Sequence, residues 1–139
     1  MKGMTVKINV SVIVTHNGEI LLMQRSLTDS YFPGAWGIPG GYMEKVDNRL
    51  EDTAVREVLE ELGIEVTPTT VMDNNKNEET DSLNIVYLAE LANKQDYPNG
   101  VKLSDEANVF KWAKRADIDH LEFTPYTKDG LEKVFDLIS

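Results

Sequence analysis

The 139-residue chain contains no cysteine. A disulfide frame, a thiol nucleophile and a cysteine zinc site are therefore excluded, while the redox compartment stays open. Positive charge is scarce: 14 Lys and Arg stand against 24 Asp and Glu, a formal net charge of −10. That balance argues against a nucleic-acid polymer as partner, since such a partner needs a basic face. It leaves room for a small anion, provided a cation mediates. Histidine occurs only at His16 and His120, each beside a turn and read as a surface residue. No apolar run approaches the ~20 residues needed to cross a bilayer. The N-terminus alternates polar and apolar residues from Thr5 and lacks the continuous core of a signal peptide. No membrane partner is expected, and the expected location is cytoplasmic.

What is present suffices for one packed domain over residues 1–139, with 41% of residues apolar. Val6, Ile8, Val10, Val12 and Val14 alternate with polar residues, the period of a strand with one buried face. Asn17-Gly18 supplies the positive φ values of a tight hairpin, and Glu19 to Arg25 returns as a second strand. Ser26 to Gly41 is rich in Gly, Pro and aromatic residues, a composition suited to a pocket-lining loop. Within it Trp36 is read as packing under the loop rather than stacking on a base. Further on, Ile64 to Met72 is strand-like, Asp73 to Asp81 reads as a polar surface loop, and Ser82 to Leu91 reads as a central strand. The 73–84 stretch fails as a calcium loop, having Glu78 where glycine is required and Asn84 where glutamate is required. A short strand at Ala107 to Trp112, a helical turn at Lys114 to His120 and a terminal helix at Pro125 to Ile138 complete the chain.

The chemistry concentrates between Gly40 and Ile64, where a Pro39-Gly40-Gly41 turn leads into a helix over Leu50 to Leu62. Each helical residue advances about 100°. Glu57, Glu60 and Glu61 therefore share one arc, with Ala54, Val55, Val58, Leu59 and Leu62 on the adjoining arc that can face a core. Such a cluster is either a solvated face or a cation site. Arg56 beside it can orient a carboxylate bidentately. Gly63 stops the helix, and the glycine turn can bring bare carbonyls toward a metal. Arg25, at the end of the second strand, is either a surface residue or a phosphate contact. Tyr31 and Phe32 can stack on a nucleobase.

This stretch resembles the Nudix box, G-x5-E-x7-R-E-U-x-E-E-x-G-U with U a bulky apolar residue. Arg56, Glu57, Val58, Glu60, Glu61, Gly63 and Ile64 match its second half, and Gly41 matches its start. Phe32-Pro33-Gly34-x-Trp36-x-x-Pro39-Gly40-Gly41 is similar to the lead-in of many Nudix hydrolases. The middle departs: fourteen residues separate Gly41 from Arg56 where the pattern has thirteen, and Asn48, with Asp47 beside it, occupies the place of the first glutamate.

The resemblance implies an α/β fold, the Nudix-type α/β/α sandwich with a mixed β-sheet. It implies hydrolysis of a phosphoanhydride in a nucleoside diphosphate linked to another group, such as a nucleoside triphosphate or nucleotide sugar. Mg²⁺, or Mn²⁺ in its place, would be held by Glu57, Glu60, Glu61 and the Gly40 carbonyl. Arg56 would hold a glutamate in place, and Arg25, Tyr31, Phe32 and Gly41 would face the small anionic nucleotide. The proton acceptor is either Glu57 or Glu106, the latter being the family's further carboxylate brought over the helix. Dimers are common among the relatives so implied, which is compatible with a homodimer. The altered first half of the box keeps a second reading open, a Nudix-like domain that senses a nucleotide without cleaving it.

Overall fold

The computed structural model describes residues 5–105, 107–124 and 127–138. In chain order the elements are β1 (Lys7–His16), β2 (Glu19–Arg25), β3 (Trp36–Gly37), β4 (Gly40–Tyr42), α1 (Leu50–Leu62), β5 (Val66–Asn77), β6 (Ser82–Leu91), β7 (Ala107–Ala113) and α2 (Thr127–Ile138). Short 3₁₀ turns lie at Lys94–Asp96 and Arg115–His120.

Among the described residues the strands form one mixed sheet, ordered β3-β2-β1-β6-β5, with β4 also pairing β1 and β7 also pairing β2. The β1–β6 pair is parallel, from Lys7 opposite Ser82 to Thr15 opposite Glu90. A parallel neighbour needs a crossover, and α1 lies in the connection that supplies it. Side chains of a strand alternate between faces. Val10, Val12 and Val14 of β1 accordingly pack with Ala54, Val58 and Leu62 of α1. Ile13 of the same strand packs with Leu131, Val134 and Phe135 of α2 on the opposite face. The fold is an α/β/α sandwich.

Four local readings are corrected. Asp73–Asn77 is not a surface loop; it continues β5, which pairs with β6 as far as Asn77 opposite Ser82. Its side chains are largely exposed, so the ladder holds this segment and its polar sequence gives no sign of it. The Ser26–Gly41 loop contains β3 and the first residues of β4. On α1, Leu59 is 49% exposed while Thr53 and Glu57 are buried. The buried stripe is thus rotated toward the carboxylate cluster. His16 is half-buried rather than superficial, with its ring 4.9 Å from that of Tyr97.

Candidate active site

The start of α1 is set by Asp52, whose carboxylate accepts the amides of Asn48 and Arg49. The Arg49 amide, at the N-cap, is among the donors that the first turn of a helix leaves without partners. Its end is set by Gly63 in the left-handed region at φ 66°, with its N–H donating to Leu59 O at 3.0 Å. Beyond it, the segment leading to β7 docks on the last turn of α1, the Lys102 and Ser104 amides donating to the carbonyls of Leu62 and Glu61.

Glycine is required at two places beside the helix. A Cβ on Gly41 would lie 2.3 Å from Glu57 Oε1, and one on Gly40 would lie 2.5 Å from the Val10 carbonyl oxygen. Tight backbone approach of β4 to both β1 and α1 is therefore built into the pair. Pro39 turns its carbonyl toward β1, accepting the Val12 amide at 2.9 Å. The next residue of a strand presents its polar groups to the other side. The Gly40 amide accordingly donates to Glu61 Oε2 at 2.9 Å, which puts the Gly40 carbonyl on the side of the glutamates.

Glu57, Glu60 and Glu61 line one cleft of about 310 Å³ together with Ser104 and Asp105. Glu57 lies under Gly41, and burial raises its pKa above the ordinary carboxylate value, against the opposing pull of Arg56. Arg56 Nη1 donates to Glu57 Oε1 at 3.0 Å and to both Glu60 oxygens at 3.4 Å. Its Nε and Nη2 grip Asp47 at 3.0 and 2.8 Å, and Nη2 also reaches the Tyr42 carbonyl at 3.1 Å. Asp47, 8% exposed, further accepts the Thr53 hydroxyl and the Glu44 amide, each at 3.0 Å. Its hydrogen bonds from Arg56, foremost among these contacts, hold its pKa well below the usual carboxylate range.

Three glutamates share the cleft, but among the described residues no three acidic, His or Cys groups converge closely enough to form a ready-made cation cage. Arg56 draws Glu57 and Glu60 to itself, and the Gly40 amide holds Glu61. The donor set is nevertheless the one a hard cation takes, namely carboxylate oxygens beside a backbone carbonyl. Glu60, its side chain 58% exposed, has room to turn into the cleft.

Arg25, Tyr31 and Phe32 are not among the residues lining that cleft. Arg25, the last residue of β2, is bound to the loop that follows: Nη2 meets Asp29 at 2.7 Å, Nε meets the Tyr31 carbonyl at 2.7 Å, and the guanidinium lies 5.1 Å from the centre of the Tyr31 ring. Tyr31 and Phe32 are exposed and meet edge to face at 4.6 Å. Glu106 lies outside the described residues. The residue that sequence reasoning undervalued is Asp47. Its signals were its place beside the vacant glutamate position and a threonine six residues on, both poised at the start of a helix that carries an arginine.

The sequence matches the NUDIX domain family over residues 5–134. The chain belongs to the Nudix family, and it is a pyrophosphohydrolase of that family. It is 28% identical over 135 residues to the nucleoside triphosphatase NudI of Escherichia coli K12, covering 88% of this chain and 92% of that protein. Among solved structures, a NUDIX hydrolase from Nitrosomonas europaea superposes with a TM-score of 0.82 at 19% identity, over 97% of this chain and 73% of that one. The MutT protein from Methanosarcina mazei Go1 superposes with a TM-score of 0.69 at 29% identity, over 94% and 93%. No helix among the described residues is long and apolar enough to cross a membrane.

Proposed function

We propose that this single-domain pyrophosphohydrolase cleaves nucleoside triphosphates in the presence of Mg²⁺, releasing a nucleoside monophosphate and pyrophosphate. The observation that carries the reading is the cleft shared by Glu57, Glu60, Glu61, Ser104 and Asp105 against the Gly40–Gly41 strand. The choice of substrate is supported by the likeness to the nucleoside triphosphatase NudI, which extends over most of both chains.

Among the described residues the cleft is lined by Glu57, Glu60, Glu61, Ser104 and Asp105, so a triphosphate enters it only with cations that offset its charge. Glu57, Glu60, Glu61 and the Gly40 carbonyl would hold Mg²⁺, or Mn²⁺ in its place. A bound ion of this kind neutralises charge on the phosphate oxygens and lowers the pKa of a bound water. Arg56 sets the positions of Glu57 and Glu60 and does not touch the substrate. A carboxylate within hydrogen-bond reach, Glu57 or Glu106, would accept the proton of the attacking water.

The test is incubation with Mg²⁺ and a panel of nucleoside triphosphates, nucleotide sugars and dinucleoside polyphosphates, read by product analysis. Turnover of triphosphates to monophosphate and pyrophosphate, abolished by EDTA, is the expected result. Release of orthophosphate alone, or turnover only of nucleotide sugars, would overturn the substrate assignment. Saturable binding of nucleotide without turnover would establish the sensor reading instead.

A further inference from the structure

We infer that Asp47 is a positioning residue that makes a box lacking its first glutamate competent, by occupying the bidentate edge of Arg56 and so leaving Glu57 and Glu60 available to a divalent cation. The inference rests on the metal-dependent reading above.

A guanidinium has one edge, formed by Nε and one Nη, that matches a carboxylate fork. In Arg56 that edge faces Asp47, with Nε to Oδ1 at 3.0 Å and Nη2 to Oδ2 at 2.8 Å. Only Nη1 is turned to the cleft, where it makes single contacts with Glu57 at 3.0 Å and looser ones with Glu60 at 3.4 Å. Asp47 is itself fixed from two other directions, by the Thr53 hydroxyl and the Glu44 amide. Thr53 is fully buried on α1, so the helix that carries the glutamates also carries the clamp on Asp47.

Without the Asp47 carboxylate, the forked edge of Arg56 would keep only the Tyr42 carbonyl, in a partly buried site beside Glu57, Glu60 and, at 4.0 Å, Glu44. It would capture Glu57 or Glu60 bidentately, and a cation would then compete with an arginine for its own ligands. Counted from Gly41, Asp47 follows after five residues, the spacing of the box, and the extra residue falls between Asp47 and Arg56; it is Asp47, not the residue at 48, that meets the guanidinium. Asn48 is exposed and contributes only its amide, donated to Asp52. A plain loop-fastening role for Asp47 predicts a different result: stability would fall on its removal, while the folded protein would bind cations as before.

The probe is Mn²⁺ alone, titrated into substrate-free protein and read by electron paramagnetic resonance, with the folded fraction measured on the same samples. Asp47→Asn is expected to weaken Mn²⁺ binding by about tenfold per folded molecule, the usual scale for losing a partner that orients a ligand. Where nucleotide turnover is present, it should raise the Mg²⁺ concentration for half-maximal rate by a similar factor and leave the nucleotide KM within about twofold. Thr53→Val, which removes only the hydroxyl clamp, should shift Mn²⁺ binding in the same direction by a smaller factor and remains readable if Asp47→Asn does not fold. Asn48→Glu should leave Mn²⁺ binding unchanged.

Wild-type Mn²⁺ affinity in folded Asp47→Asn, or in Thr53→Val if the former does not fold, would overturn the inference. Tighter binding in Asn48→Glu would do the same. Mn²⁺ binding that responds as described in a protein with no nucleotide turnover would uphold the role of Asp47 and reject the catalytic reading.

Discussion

Two arginines of this chain sit beside carboxylates, and they serve different ends. Arg25, at the end of β2, closes on Asp29 and the Tyr31 carbonyl of the loop that follows it. Arg56 joins Asp47 before α1, the Tyr42 carbonyl at the end of the glycine strand, and Glu57 and Glu60 on the helix itself. The first network orders its own loop. The second spans the segments that build the cleft, and its carboxylate partner is nearly buried. An exposed ion pair contributes little, roughly 0–1 kcal/mol, whereas a buried carboxylate that loses its cation is left uncompensated. The position of a charged residue in the sequence therefore says less about function than the separation of the elements it connects.

That contrast can be broken at several points. The largest expected effect is at Glu57. Glu57→Gln should lower kcat by about a hundredfold or more, the scale of losing a positioned proton acceptor. Because the fold raises the pKa of this group, it binds protons more tightly folded than unfolded. Its ionised form therefore subtracts from stability as pH rises through the folded pKa. The neutral variant should consequently melt no lower than the parent at pH 7, which calorimetry beside the rate assay checks.

Next comes Gly41→Ala, whose Cβ would lie 2.3 Å from Glu57 Oε1. It should displace that carboxylate, reduce kcat and lower stability by about 1–3 kcal/mol through overpacking. Denaturant titration reads the second effect.

The Asp47–Arg56 pair should then appear in the pH dependence of stability. The pKa of Asp47 is depressed in the fold, so its contribution is fully present above the unfolded value near ~3.9 and is lost as pH falls below it. Melting temperatures recorded from pH 6 down to pH 2.5, values chosen to bracket about that point, should fall more steeply in the parent than in Asp47→Asn.

The smallest effect is expected at Arg25. Arg25→Ala should change stability by less than about 1 kcal/mol. It should leave kcat nearly unchanged, with any change appearing in KM for nucleotide. A large loss of kcat would mean that Arg25 leaves its loop to contact phosphate.

Much of this organisation was legible from residue patterns. The limits of α1 at Leu50 and Leu62 follow from apolar spacing and Gly63, and those of β6 at Ser82 and Leu91 follow from an apolar run between polar loops. The first half of β5 is legible for the same reason. Its second half is not, because Asp73–Asn77 is held by main-chain bonds to β6, and such bonds leave no trace in side-chain pattern. Period alone also misplaced the buried stripe of α1. A helical wheel puts Leu59 on the core arc and Glu57 off it, but the glycine strand packs over Glu57 and Leu59 is left 49% exposed. Counting back from Arg56 leads to position 48, whereas counting on from Gly41 leads to Asp47. Only the path of the inserted residue decides which side chain meets Arg56.

The central claim is that Glu57, Glu60 and Glu61 together hold a divalent cation against a nucleotide phosphate. Crystals grown with Mn²⁺ and a non-hydrolysable triphosphate analogue test it most directly, through the anomalous signal of the metal. The account predicts manganese in the cleft, coordinated by at least two of those carboxylates and by phosphate oxygens. Manganese bound only elsewhere, with the three glutamates still turned to Arg56 and the Gly40 amide, would contradict it.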